Sequence, residues 1–108
     1  MSTSPLAPRD LLILSVLAEG SLHGYGIIKA VEERSTDGVL LDPANLYRAL
    51  RRMRRDGWIA EADRKGPDPR RRSFRLTPAG RTVLSSEVRR LEALLEIVKP
   101  NTATGRGS

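Results

Sequence analysis

Apolar and polar positions alternate along this chain with changing rhythm, and each rhythm predicts an element. From Leu11 to Leu17 the run is apolar nearly all round, with Gly20 as the stop, so a helix from about Pro8 must be covered nearly all round. One small domain offers too little surface for that. The excess predicts a second subunit against this helix. Ile27, Ile28 and Val31 supply the core face of a second helix that begins within Ser21 to Gly26 and continues through Ser35. Gly24 and Gly26 in its first turn cost about 1 kcal/mol each against alanine, so either the close approach of another backbone or a simple turn is expected there. Thr36 to Gly38 is turn chemistry, and Val39 to Leu41 is a short link.

Asp42-Pro43 is a helix start: a carboxylate to accept orphan N–H groups, then a residue whose fixed φ suits the first turn. Leu46, Leu50 and Met53 follow at helical spacing, and Gly57 closes the helix. Opposite that apolar face fall Ala44, Arg48, Arg51 and Arg55, with Asn45 and Arg52 on one flank and Tyr47 and Arg54 on the other. Trp58 to Ala62 and about Arg71 to Leu76 read as two strands around the turn sequence KGPDP. Thr77-Pro78 repeats the cap-then-proline signal and opens a last helix to Val98, with Pro100 as its end. Leu84, Val88, Leu91, Leu95 and Val98 are spaced 4, 3, 4, 3 along it, and Val83, Leu94 and Ile97 widen the stripe.

The expected fold is therefore mainly α with a small β-hairpin (α+β), a winged helix-turn-helix with a C-terminal dimerisation helix. Residues 1–7 form a disordered N-terminus, 8–76 the winged helix-turn-helix, 77–99 the dimerisation helix and 100–108 a disordered tail. The surplus apolar positions predict a homodimer through Leu12, Val16, Leu84, Val88, Leu91, Leu94, Leu95 and Val98.

Charge sharpens this picture. Between Arg48 and Arg75 stand eleven basic residues and four acids, an excess of seven, whereas the whole 108-residue chain carries +6. A segregated excess of this kind is the footprint of a polyanion partner. Cysteine is absent and there is one histidine, which leaves no disulfide framework, no metal cluster and no catalytic triad around a cysteine. No glycine-rich phosphate loop appears, and no apolar run approaches a membrane span. The reading is a non-enzyme without a cofactor, in keeping with a reducing cytoplasm. Double-stranded DNA is the expected partner, with recognition-helix contacts from Ala44, Asn45, Tyr47, Arg48, Arg51 and Arg52. Wing contacts are expected from Lys65, Arg70, Arg71 and Arg72. Trp58 is expected to pack, and His23 to serve as a turn or capping residue. Two other classes share the charge pattern: a winged-helix module for protein contacts, and an architectural or RNA-binding protein. Only four aromatics, Tyr25, Tyr47, Trp58 and Phe74, are available as stacking platforms for RNA.

Three runs carry a further signal: HGYGI (His23 to Ile27), LYRAL followed by DGWI (Leu46 to Leu50, Asp56 to Ile59) and RLTPAG (Arg75 to Gly80). In this order and spacing, from roughly Asp10 to Val98, the chain resembles the PadR family of winged-helix transcriptional regulators. It resembles the shorter branch, with a single helix after the wing. The resemblance implies a homodimer in which the last helix of each subunit packs on the first helix of the other. It also implies repression, and a small hydrophobic effector at or near the dimer interface. The chain departs from relatives that stack flat ligands on a tryptophan of the last helix, because no aromatic lies between Thr77 and Val98.

Overall fold

The computed structural model describes residues 5–36, 38–63 and 72–105. The elements run α1 (Pro8–Leu17), β1 (Leu22–His23), α2 (Gly24–Arg34), α3 (Pro43–Arg55), β2 (Ile59–Asp63), β3 (Ser73–Leu76) and α4 (Pro78–Gly105). The three strands form one antiparallel sheet in the order β1-β3-β2. In its register Leu22 faces Phe74, Ile59 faces Leu76 and Glu61 faces Phe74. An extra residue between Glu61 and Asp63 makes a bulge in β2 against β3.

The core lies where α1, α2, α3 and the sheet meet. Ile13, Leu14, Ile27, Val31, Leu46, Leu50 and Met53 are fully enclosed there, each removing apolar surface worth about 1.5–3 kcal/mol from water. Phe74, Leu76 and Ile59 close it from the sheet side. Ser35 shapes the link between α2 and α3. Its hydroxyl accepts a hydrogen bond from the Val39 N–H at 3.0 Å.

Four features differ from the sequence expectation. First, the chain's own α2, α4 and β3 cover α1. Val16 is 2 % exposed and belongs to this chain's core rather than to a surface offered to a second copy. Second, Leu22 and His23 form a strand instead of a helix start. His23 stands at the N-cap of α2, where its side chain makes no capping bond. Third, Pro5 to Ala7 lie within the described structure. Leu6 packs on the core and its N–H donates to Glu87 Oε2 at 3.2 Å. Fourth, α4 runs through Pro100 to Gly105. A proline withholds one N–H from the carbonyl four residues earlier, here that of the solvent-exposed Glu96, where water can take the bond. Thr102 Oγ1 donates to the Lys99 carbonyl in this turn at 2.9 Å.

The junction between wing and α4 is tightly built. Thr77 Oγ1 donates to the Gly57 carbonyl at 2.6 Å and accepts from the Gly80 N–H at 3.0 Å. The Thr77 N–H donates to the Trp58 carbonyl at 3.0 Å. Trp58 is half-buried against the core. From Glu92 to Asn101 every residue of α4 is exposed, and the stripe is open to solvent: Leu95 is 51 % and Ile97 67 % exposed.

Candidate nucleic-acid interface

Helix α3 is set by both of its ends. Asp42 caps it, with Oδ1 accepting from the Asn45 N–H at 2.7 Å, and Pro43 follows in the first turn. At the other end Gly57 takes φ +79°, a left-handed conformation that favours glycine. The Gly57 N–H then reaches the Arg54 carbonyl at 3.0 Å and the Trp58 N–H the Met53 carbonyl at 2.9 Å. This pair of bonds satisfies orphan carbonyls and stops the helix in the Schellman manner. Arg52, Arg54 and Arg55 in the last turn complement the negative end of the helix dipole.

Leu46, Ala49, Leu50 and Met53 bury the inner face, so the outer face is dictated. Ala44, Arg48, Arg51, Arg54 and Arg55 are exposed, and the five arginines from Arg48 to Arg55 line one open concavity. Asn45 and Arg48 belong to a short chain of hydrogen bonds. Asn45 Nδ2 donates to Asp42 Oδ2 at 3.2 Å, and Arg48 Nη1 donates to Asn45 Oδ1 at 2.7 Å. Tyr47 is half-buried against the core, with its ring edge over Gly24. A Cβ on Gly24 would lie 2.4 Å from the Tyr47 hydroxyl oxygen, so the close neighbour of this glycine is a side chain and not the backbone expected from the sequence.

Two further predicted contact residues are ion-paired inside the chain. Arg52 donates to Asp10 Oδ2 on α1 at 2.5 Å. Arg72 pairs with Glu61 across the hairpin. Lys65, Arg70 and Arg71 lie outside the described residues. Of the positions expected to meet a second subunit, Val88, Leu94, Leu95 and Val98 are exposed. Leu91 is half-buried, and Leu12 and Leu84 are partly buried against their own core.

Sequence reading missed two buried acids that each hold an arginine, Asp10 with Arg52 and Glu87 with Arg90. Asp10 and Glu87 are buried, at 9 % and 4 % exposure. Glu87 accepts from Arg90 at 3.0 and 2.5 Å as well as from Leu6. The Arg90 guanidinium holds the Glu87 carboxyl below its ordinary value, and Glu87 raises Arg90 in turn. The Glu87–Arg90 spacing of three on a helix was a local signal for that pair. Asp10 had no such signal, because Arg52 lies 42 residues away. Among the described residues no three acids or histidines gather as a metal site, and no helix is long and apolar enough to cross a membrane.

The model of the transcriptional regulator PadR-like family matches residues 13–86. The transcriptional regulator Rv3488 of Mycobacterium tuberculosis is 36% identical over 84 residues, covering 78% of this chain and 76% of that protein. An uncharacterised 37.1 kDa protein of a Streptomyces fradiae transposon is 42% identical over 85 residues, 79% of this chain but only 23% of its own length. Among solved structures, a transcriptional regulator from Clostridium thermocellum superposes with TM-score 0.70 at 27% identity, over 84% of this chain and 89% of that one. Bacillus subtilis PadR, solved in complex with operator DNA, shares the fold with TM-score 0.67 at 22% identity, over 79% of this chain and 48% of that one. A capped helix with an arginine outer face, a short sheet behind it and a family match over residues 13–86 agree, and this chain belongs to the PadR-like family of transcriptional regulators.

Proposed function

We propose that this regulator is a homodimeric repressor that reads a near-palindromic operator with α3 and grips the flanking backbone with its wing. The observation that carries the reading is the outer face of α3, where exposed arginines stand opposite a wholly apolar inner face. The operator complex of Bacillus subtilis PadR supports DNA as the partner.

Affinity is mostly electrostatic, because arginines that neutralise phosphates release condensed counterions. The N-terminal half of α3 leads into the major groove. Asn45 and Arg48 read base edges, Asn with adenine and Arg with guanine, exchanging their mutual hydrogen bond for bonds to DNA. Ala44 lies against a thymine methyl, and Tyr47 and Arg51 hold phosphate. Lys65, Arg70, Arg71 and Arg72 serve the wing, with Arg72 leaving Glu61 or sharing it. Dimerisation uses the open stripe of α4, chiefly Val88, Leu91, Leu94, Leu95 and Val98, with Leu12 and Leu84 at its base. A small hydrophobic effector between subunits changes the distance between the two α3 helices and lowers DNA affinity.

Nuclease footprinting with Arg48→Ala tests the assignment. The expected footprint is two-fold, with half-sites about one or two helical turns apart. The variant is expected to lose about 1–3 kcal/mol of specific binding and relax one base position. Equal weakening on every sequence would make Arg48 a phosphate contact instead.

A further inference from the structure

We propose that Asp10 is a positioning residue for DNA binding: it grips Arg52, fixes the pitch of α3 and withholds that guanidinium from the phosphates. The inference rests on the reading of α3 as the DNA-reading helix. Asp10 lies in the first turn of α1, a place where a carboxylate ordinarily sits in solvent near its own helix end. Here its side chain is 13 % exposed and its Oδ2 accepts from Arg52 Nη2 at 2.5 Å. A charge-assisted bond with one partner enclosed is a stronger and better directed link than a surface pair.

The turn that carries Asp10 is itself anchored. Two residues before Pro8, the Leu6 N–H is bonded to the buried Glu87 of α4, and Arg90 also donates to Glu87. Asp10 is therefore a fixed point joined to α4, and Arg52 is the place where α3 is tied to it. Arg52 stands beside Arg48 and Arg55 on the same helix, so a small roll of α3 about its axis would re-aim Asn45 and Arg48 together. Asp10 opposes that roll. It also cancels one of the five arginine charges of α3, which weakens attraction to any sequence and leaves discrimination to the aimed side chains.

The test uses the full chain and a duplex enriched from a random library by the wild type, with a scrambled duplex beside it, titrated across salt concentrations. For Asp10→Asn the expected result is a fall of about tenfold in the ratio of specific to non-specific affinity. Non-specific binding stays level or rises, and its salt slope is unchanged or steeper by about 0.9 as the freed Arg52 reaches a phosphate. The charge-neutral pair Asp10→Asn with Arg52→Gln keeps the net charge, guards against a folding defect in the single variant, and is expected to show the lowered ratio with the wild-type slope. An unchanged ratio overturns the proposal. So does parallel loss of both affinities, which marks a purely structural role. A slope shallower by about 0.9 in the paired variant overturns it as well, since Arg52 would then already be a phosphate contact. If the wild type enriches no sequence, the reading of α3 fails first and the inference falls with it, an outcome distinct from the other three.

Discussion

Gly80→Ala replaces one hydrogen with a methyl at the point where the wing meets α4. The new Cβ would stand 2.1 Å from the Trp58 carbonyl oxygen, 2.9 Å from its carbonyl carbon and 2.7 Å from Leu76 Cδ1, where ordinary contact begins near 3.4 Å. Two of these atoms are backbone, so a rotamer change cannot relieve the clash. Either the first turn of α4 or the start of β2 must move by more than an ångström. That movement pulls on the Thr77 N–H bond to the same Trp58 carbonyl and on the Thr77 hydroxyl bond to Gly57. Overpacking costs about 1–3 kcal/mol and a weakened hydrogen bond about 1 kcal/mol. Alanine returns about 1 kcal/mol of helix propensity. The net expectation is a loss of about 1–3 kcal/mol, or roughly 4–24 °C in Tm for a domain of this size. Thermal unfolding followed by circular dichroism, at one protein concentration because association would shift Tm, measures it. A variant within about 2 °C of wild type would refute this packing of wing on α4.

Three other perturbations follow from the same bonds. Asp42→Ala removes the cap of α3 and is expected to cost about 1 kcal/mol in a denaturant titration, whereas an unchanged midpoint would mean that Asp42 does not cap. Glu87 has its folded carboxyl pKa lowered by Arg90, so its contribution is present above the ordinary carboxylate range and is lost as pH falls through the folded value. Stability measured from neutral to acid pH should fall less steeply in Glu87→Gln than in wild type; parallel curves would remove the Glu87–Arg90 pair from the account. Leu95→Lys places a charge on the open stripe of α4 and is expected to convert the proposed dimer to monomer in light scattering, while an unaltered dimer mass would exclude this face as the interface.

What the sequence made legible is local in origin. The cap at Asp42, the apolar spacing of Leu46, Leu50 and Met53, and the stop at Gly57 lie within one helix length, and each is observed. The outer arginines follow from that spacing by geometry alone. The hairpin was legible for the same reason, with β2 and β3 each within one or two residues of the expected spans. Strand β1 was not, because two residues are strand only by virtue of Ser73 and Phe74 fifty residues later. The covering of α1 was misjudged because the alternating faces of α2, α4 and β3 cannot be docked on it from periodicity. Asp10–Arg52 and Leu6–Glu87 are partnerships across 42 and 81 residues, and no pattern in the chain announces them. They change the candidate site, since Arg52 reads as one more free cation until its partner is seen.

Sequence reading by the exposed arginines of α3, beyond mere attraction of a polyanion, is what the proposed function requires. Its most direct test is a titration of the protein into a labelled duplex from the region upstream of its own gene, against a scrambled duplex, at two salt concentrations. A preference of about 10³ or more that persists at the higher salt is the predicted result. Equal binding to both duplexes, lost together as salt rises, would contradict it and leave only the attraction that the charge between Arg48 and Arg75 supplies.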